Sequence, residues 1–138
     1  MVAIDVVTKW WARNHLATAD RHVLGPLWLR LSANQGFSFS LAHSWPIVAS
    51  LGELVALVAV LVAVRFVATV PAAVGFGLIL GGGVANLGDR IGSSTHAVTD
   101  FIAVGSFPIF NCADAAITIG VVVLGALTLS GKTLWVKP

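Results

Sequence analysis

Three long apolar runs, almost free of charge, decide what this chain can fold into. They cover residues 47–64, 67–87 and 112–129, and the ionisable side chains within them are Glu53 and Asp114. A helix needs about 20 consecutive apolar residues to cross the hydrocarbon of a bilayer. Hydrophobic residues form 57% of the 138 positions and charged ones only 10%. A soluble domain of this size has too little interior to hide so much apolar surface. The expected fold is an all-α membrane protein: a small bundle of transmembrane helices forming a single domain over residues 1–138.

Local signals refine the spans. The first two runs are separated by Arg65, which predicts a tight antiparallel hairpin. Pro71 falls in the first turn of the second helix, where a missing N–H is tolerated. Gly77, Gly81, Gly82 and Gly83 leave that helix thin on one side, which favours close helix packing. No Lys-Ser/Thr follows them, so they are no phosphate loop. The third helix ends at "SGK", with Gly131 suited to the position just past it.

Two polar stretches, residues 13–46 and 88–111, belong on one side of the membrane. Polar and apolar side chains alternate from Trp28 to Leu41, the period of a half-buried strand, which predicts a short β element on the membrane surface. Trp10, Trp11, Trp28 and Trp45 suit an interfacial aromatic belt. Lys9, Arg13, Arg21, Arg30 and Arg90 lie on this side, against Arg65, Lys132 and Lys137 on the other. By the positive-inside rule alone, the richer side is cytoplasmic. The scattered cations form no basic patch, so nucleic acid is no expected partner. His15, His22, His43 and His96 lack metal-ligand spacing, and the single Cys112 reads as a packed thiol; no metal or cofactor is expected.

Asp100 and Asp114 are the candidates for chemistry. Asp100 reads as a loop residue entering an apolar run, and Asp114 opens the last helix, with a re-entrant connection through Pro108 between them. Two carboxylates held close share one proton, the requirement for general acid–base hydrolysis of a peptide. Spacing alone leaves open that both simply cap helices. Asp89, beside Arg90 and near Asn86, reads as part of a structural polar cluster.

Four blocks resemble the bacterial lipoprotein signal peptidases (signal peptidase II), intramembrane aspartyl proteases. "ANQGFSFS" matches Asn-x-Gly-x-x-Phe-Ser through Asn34, Gly36, Phe39 and Ser40. "GGGVANLGDRIGSSTHAVTDFI" and "FNCADAAITIG" match two further blocks, and "IDVVTK" more weakly matches Asp-x-x-Thr/Ser-Lys. Ala85 stands where the family usually has Gly, and Thr99 where it usually has Val. The resemblance implies that Asp100 and Asp114 are the catalytic dyad. It also implies supporting roles for Asn34, Asn86, Arg90 and Asn111 around dyad and substrate, and for Asp5 and Lys9 near the first helix. Arg90 beside Asp89 offers a fork to lock the loop.

The implied substrates are prolipoproteins cut just before a diacylglyceryl-modified cysteine, by a monomer in the bacterial plasma membrane among its lipids. The implied fold has four spans, both termini inside and the dyad on the extracytoplasmic side, an orientation followed here over the charge count. Only four residues precede Asp5. The first span is therefore expected to be cut short, through a start codon set too late or a true truncation. Two other functions compete: a catalytically inactive relative, and a small transport subunit using Glu53, Asp100 and Asp114 as an ion path.

Overall fold

The computed structural model describes residues 1–35 and 46–135. Gly36, Phe39, Ser40, His43, Trp45, Lys137 and the strand residues expected beyond Gln35 lie outside the described residues. The chain runs α1 (Val2–His15), β1 (Arg21–Leu24), β2 (Leu27–Asn34), α2 (Pro46–Val64), α3 (Val70–Gly92), β3 (Val98–Val104) and α4 (Cys112–Leu129).

The α3–α4 pair is the spine, and glycine lets the two backbones meet. A Cβ at Gly82 would lie 2.6 Å from the Ala113 carbonyl oxygen, and one at Gly120 would lie 2.6 Å from the Gly75 carbonyl oxygen. Both distances are shorter than any side chain tolerates, so the approach requires glycine at these two crossings. Outward-facing apolar side chains remain exposed along α2 (Leu51, Val55, Leu61) and α4 (Val121, Val122, Leu129). Contiguous apolar surface of this extent calls for lipid rather than water. Among the described residues, α3 and α4 are each long and apolar enough to cross a membrane. α2, the remaining run expected from the sequence, is a 19-residue helix over Pro46–Val64.

The expected β element is larger than a strand or hairpin. β1, β2 and β3 form an antiparallel sheet in that order, with Ser32 opposite Asp100 and Asn34 opposite Val98. β3 is covered on both faces, with Phe101 packed on Ala12 and Leu16 at the end of α1. Burial on both faces removes alternation from the sequence, which is why Asp100 looked like a loop residue; it lies in a strand. The sheet also ties the two polar stretches to one end of the helices.

Helix limits follow their caps. Thr69 caps α3 by accepting the Ala72 N–H at 3.4 Å, with Pro71 in the first turn. The connection from α2 therefore covers residues 65–69 rather than one arginine, and Val67 and Ala68 pair with the segment after α4. α3 continues to Gly92, beyond the limit expected near Leu87, because Asn86, Asp89 and Arg90 find partners along its polar end. α4 begins at the expected residue and ends before Gly131, whose φ of +68° is the left-handed conformation expected just past a helix.

Candidate active site

Asp100 and Asp114 come from different elements and meet at one residue between them. Asn111 is fully buried and caps α4 in a reciprocal capping box: its Oδ1 accepts the Asp114 N–H at 2.9 Å, and its own N–H donates to Asp114 Oδ2 at 3.1 Å. The Asn111 side-chain amide then donates to Asp100 Oδ1 at 2.7 Å. One asparagine thus holds both carboxylates. Of the two acids only Asp114 takes part in a helix cap; Asp100 lies in β3 and caps no helix. The Asn34 amide donates to the other Asp100 oxygen at 3.0 Å, and the Asn86 amide donates to Asp114 Oδ1 at 2.8 Å.

The orientation of Asn86 is set from behind. Its Oδ1 accepts from the Lys9 ammonium at 2.8 Å and from Asn111 at 3.2 Å, which turns its NH₂ toward Asp114. Lys9 is only 2% exposed and pairs with Asp5, one helical turn earlier, at 2.7 Å. Asp5 in turn accepts the Ala113 N–H at 2.9 Å, linking α1 to the start of α4. Asp89 accepts from Arg13 and from the Thr99 N–H at 2.7 Å, and lies 3.6 Å from Lys9. The structural polar cluster expected around Asp89 is present. Arg90, however, reaches across to Glu53 at 3.2 Å rather than pairing with its neighbour Asp89.

Asp100 and Asp114 open on a common cavity of about 540 Å³ between α2, α3, α4 and the β3–α4 connection. Asn34, Asn86, Arg90 and Glu53 line its polar end, while Leu57, Val60, Ile79 and Ile117 make apolar walls. Phe107, Pro108 and Phe110 of the connection close one side. Burial, and next the charge of Asp114, push the Asp100 carboxyl up to about 6 against the lowering effect of Asn34, Asn111 and Lys9. A carboxyl in that state keeps its proton up to a pH of about 6, beside a second carboxyl.

Of the residues singled out in the sequence, Asn34, Asn86, Arg90, Asp100 and Asp114 line the cavity, Asn111 joins the carboxylates, and Asp5 and Lys9 form the layer behind. Two parts of the site went unread. Glu53 was visible as a lone charge in an apolar run, but nothing local announced its partner on another helix. The aromatic wall of Phe107 and Phe110 had no periodic signal. Cys112 is half-buried, and its Sγ accepts from Thr8 at 3.5 Å. Among the described residues no cluster of His, Cys, Asp and Glu could hold a metal ion.

A family model described as Signal peptidase (SPase) II matches residues 1–130. A lipoprotein signal peptidase of Rhodococcus jostii is 37% identical over 147 residues, covering 95% of this chain and 69% of that protein. One from Streptomyces coelicolor is 36% identical over 110 residues, covering 75% and 54%. One from Dehalococcoides mccartyi is 42% identical over 105 residues, covering 72% and 64%. The chain therefore spans between 54% and 69% of the length of these curated relatives. Two solved structures titled as bacterial membrane enzymes share the fold. One has a TM-score of 0.74 at 26% identity, covering 93% of this chain and 86% of that one. The other has a TM-score of 0.68 at 27% identity, covering 99% and 89%. With the four motif blocks, the two apolar spans and the matched fold in agreement, the chain belongs to the signal peptidase II family of membrane peptidases.

Proposed function

We propose that this protein is an aspartyl endopeptidase that removes the signal peptide of prolipoproteins just before a diacylglyceryl-modified cysteine. Asp100 and Asp114 are its catalytic dyad. The observation that carries the reading is the pair of carboxylates facing one cavity while a single buried asparagine bonds to both.

The ionised member takes a proton from water as the hydroxyl adds to the scissile carbonyl carbon, and the protonated member gives its proton to the carbonyl oxygen. Collapse of the tetrahedral intermediate breaks the C–N bond. The carboxyl that took the water proton passes it to the leaving amine, and the hydroxyl proton returns to the other carboxylate. Proton traffic between two acids activates water by itself, so the reaction calls for no metal or cofactor.

Asn34, Asn86 and Asn111 each present amide donors that fix a carboxylate oxygen and limit its rotation. Asp5 and Lys9 hold Asn86 and the start of α4 in register. Arg90 shapes the polar end of the cavity. The apolar walls suit a substrate whose signal helix and acyl chains stay in lipid while its scissile bond reaches interface depth. On this reading the enzyme is a monomeric, four-span protein of the bacterial plasma membrane with its dyad on the extracytoplasmic side.

Asp100→Asn and Asp114→Asn should each abolish cleavage of a diacylglyceryl-modified prolipoprotein peptide in lipid bilayers while leaving membrane insertion and melting temperature intact. Processing at the parent rate in both variants removes the dyad from the mechanism.

A further inference from the structure

Glu53 is the charge that peptide hydrolysis by two aspartates does not use. It lies on the face of α2 that carries Leu57 and Val60, four and seven residues on, and all three line the cavity. Opposite them, α3 presents Gly83, Asn86 and Arg90. Arg90 stands one turn beyond Asn86, whose amide donates to Asp114 at 2.8 Å. A permanent cation therefore shares a wall with the two carboxylates.

Among the described residues, the charged groups around Asp100 and Asp114 on the elements packed against them are Asp5, Lys9 and Arg13 on α1, Glu53 on α2, and Asp89 and Arg90 on α3. They form matched sets. Lys9 meets Asp5 at 2.7 Å, and Arg13 meets Asp89, which also takes the Thr99 N–H. Arg90 Nε donates to Glu53 Oε2 at 3.2 Å, and its Nη1 donates to the His96 carbonyl at 3.4 Å. The Glu53 and Arg90 side chains are 16% and 7% exposed, so water screens them little.

We propose that Glu53 is a positioning residue for the dyad: it neutralises Arg90 and holds the guanidinium on the α2 side of the cavity, so that Asp100 and Asp114 keep their shared proton. This rests on the dyad reading given above. An unmatched opposite charge within about 4–6 Å favours the ionised form of a carboxyl by roughly 1–3 pH units. A guanidinium released toward the pair would ionise both acids, leaving no proton to give to the scissile carbonyl. The electrostatic role thus opposes what a cation beside an acid site would otherwise do.

The test is an isotope-edited infrared titration of the full chain in lipid bilayers, with the aspartate carboxyls labelled with carbon-13. It reads protonation without turnover, and the dyad band is assigned by its loss in Asp100→Asn. In Glu53→Gln, the protonated-carboxyl band should vanish about one pH unit lower than in the parent, and the alkaline limb of kcat/KM should fall with it. Glu53→Asp, which retains the charge, should restore most of the shift. A Glu53→Gln titration that superimposes on the parent's overturns the proposal, as does a lower melting temperature or a higher KM with both titrations unmoved. Failure of the dyad reading looks different: Asp100→Asn then retains cleavage, whatever Glu53 does.

Discussion

Gly82 sets the distance between the helices that carry Asn86 and Asp114, and alanine there should cost catalysis before it costs folding. A Cβ at this position would stand 2.6 Å from the Ala113 carbonyl oxygen and 2.7 Å from Ile117 Cγ1, where ordinary contact begins at 3.4 Å. The backbone carbonyl has no rotamer to escape into, so α3 and α4 must separate locally by about 0.8 Å. Asn86 lies one turn further along α3, and Asp114 follows Ala113 directly. Their 2.8 Å hydrogen bond is stretched to about 3.6 Å by that displacement, beyond bonding range. Misplacement near 1 Å in an acid–base site is worth about 10²-fold in rate. Overpacking costs about 1–3 kcal/mol, of which the higher helix propensity of alanine returns up to about 1 kcal/mol.

The expected outcome is a fall of about 30- to 100-fold in single-turnover cleavage of a lipidated peptide, with a folded protein and a modest loss of melting temperature. Gly77→Ala and Gly88→Ala are the controls on the same helix, since nothing lies within 4 Å of a Cβ at either position. If Gly82→Ala cleaves as fast as these controls, the α3–α4 spacing does not govern the site, and the positional reasoning is refuted.

The raised Asp100 carboxyl keeps its proton below about 6 and loses it above, so kcat/KM should decline as pH rises through that value. Asn34→Ala removes a donor that favours the ionised form and should carry the decline to higher pH, read from the rate profile. Lys9→Met strands the buried Asp5 carboxylate and should cost roughly 3–5 kcal/mol, while adding Asp5→Asn should recover part of it, both measured by denaturation in detergent. Cys112→Ala should leave turnover within about two-fold and insensitive to thiol alkylation, because the thiol meets only a weak Thr8 contact in the described hydrogen bonds.

Much of the fold was legible because the bilayer imposes a coarse grammar. The bounds of α4 were readable at both ends, since Asn111 and Asp114 sit at capping spacing and Gly131 closes the other side. The far end of α3 was not, because Asp89 and Arg90 look like loop residues until their partners on α1 and α2 are known. β3 was hidden for the opposite reason: a strand covered on both faces has no period-2 pattern, so Thr99 and Asp100 read as punctuation within an apolar run. Membership of the site was legible through motif blocks. Its wiring was not, because contacts such as Lys9 to Asn86 join residues 77 positions apart and leave no local trace.

The wiring also explains how a carboxylate pair survives at the edge of hydrocarbon. The buried charges described behind the site are matched: Asp5 with Lys9 within α1, and Asp89 with Arg13 and Glu53 with Arg90 across elements. On the proposed mechanism the unfavourable apposition is confined to Asp100 and Asp114, where one shared proton relieves the like charges. Asn111 makes that confinement possible because the same residue caps a helix and bridges the acids. The cap is a local interaction that forms with the helix and orients Asp114, whose other oxygen is then held by the Asn86 amide of α3 at 2.8 Å. Asp100 arrives only when β3 joins β2 and the Asn111 amide finds it. Helix formation and sheet docking must therefore both be complete before the proton can be shared. The proposed chemistry is thus conditional on a finished fold.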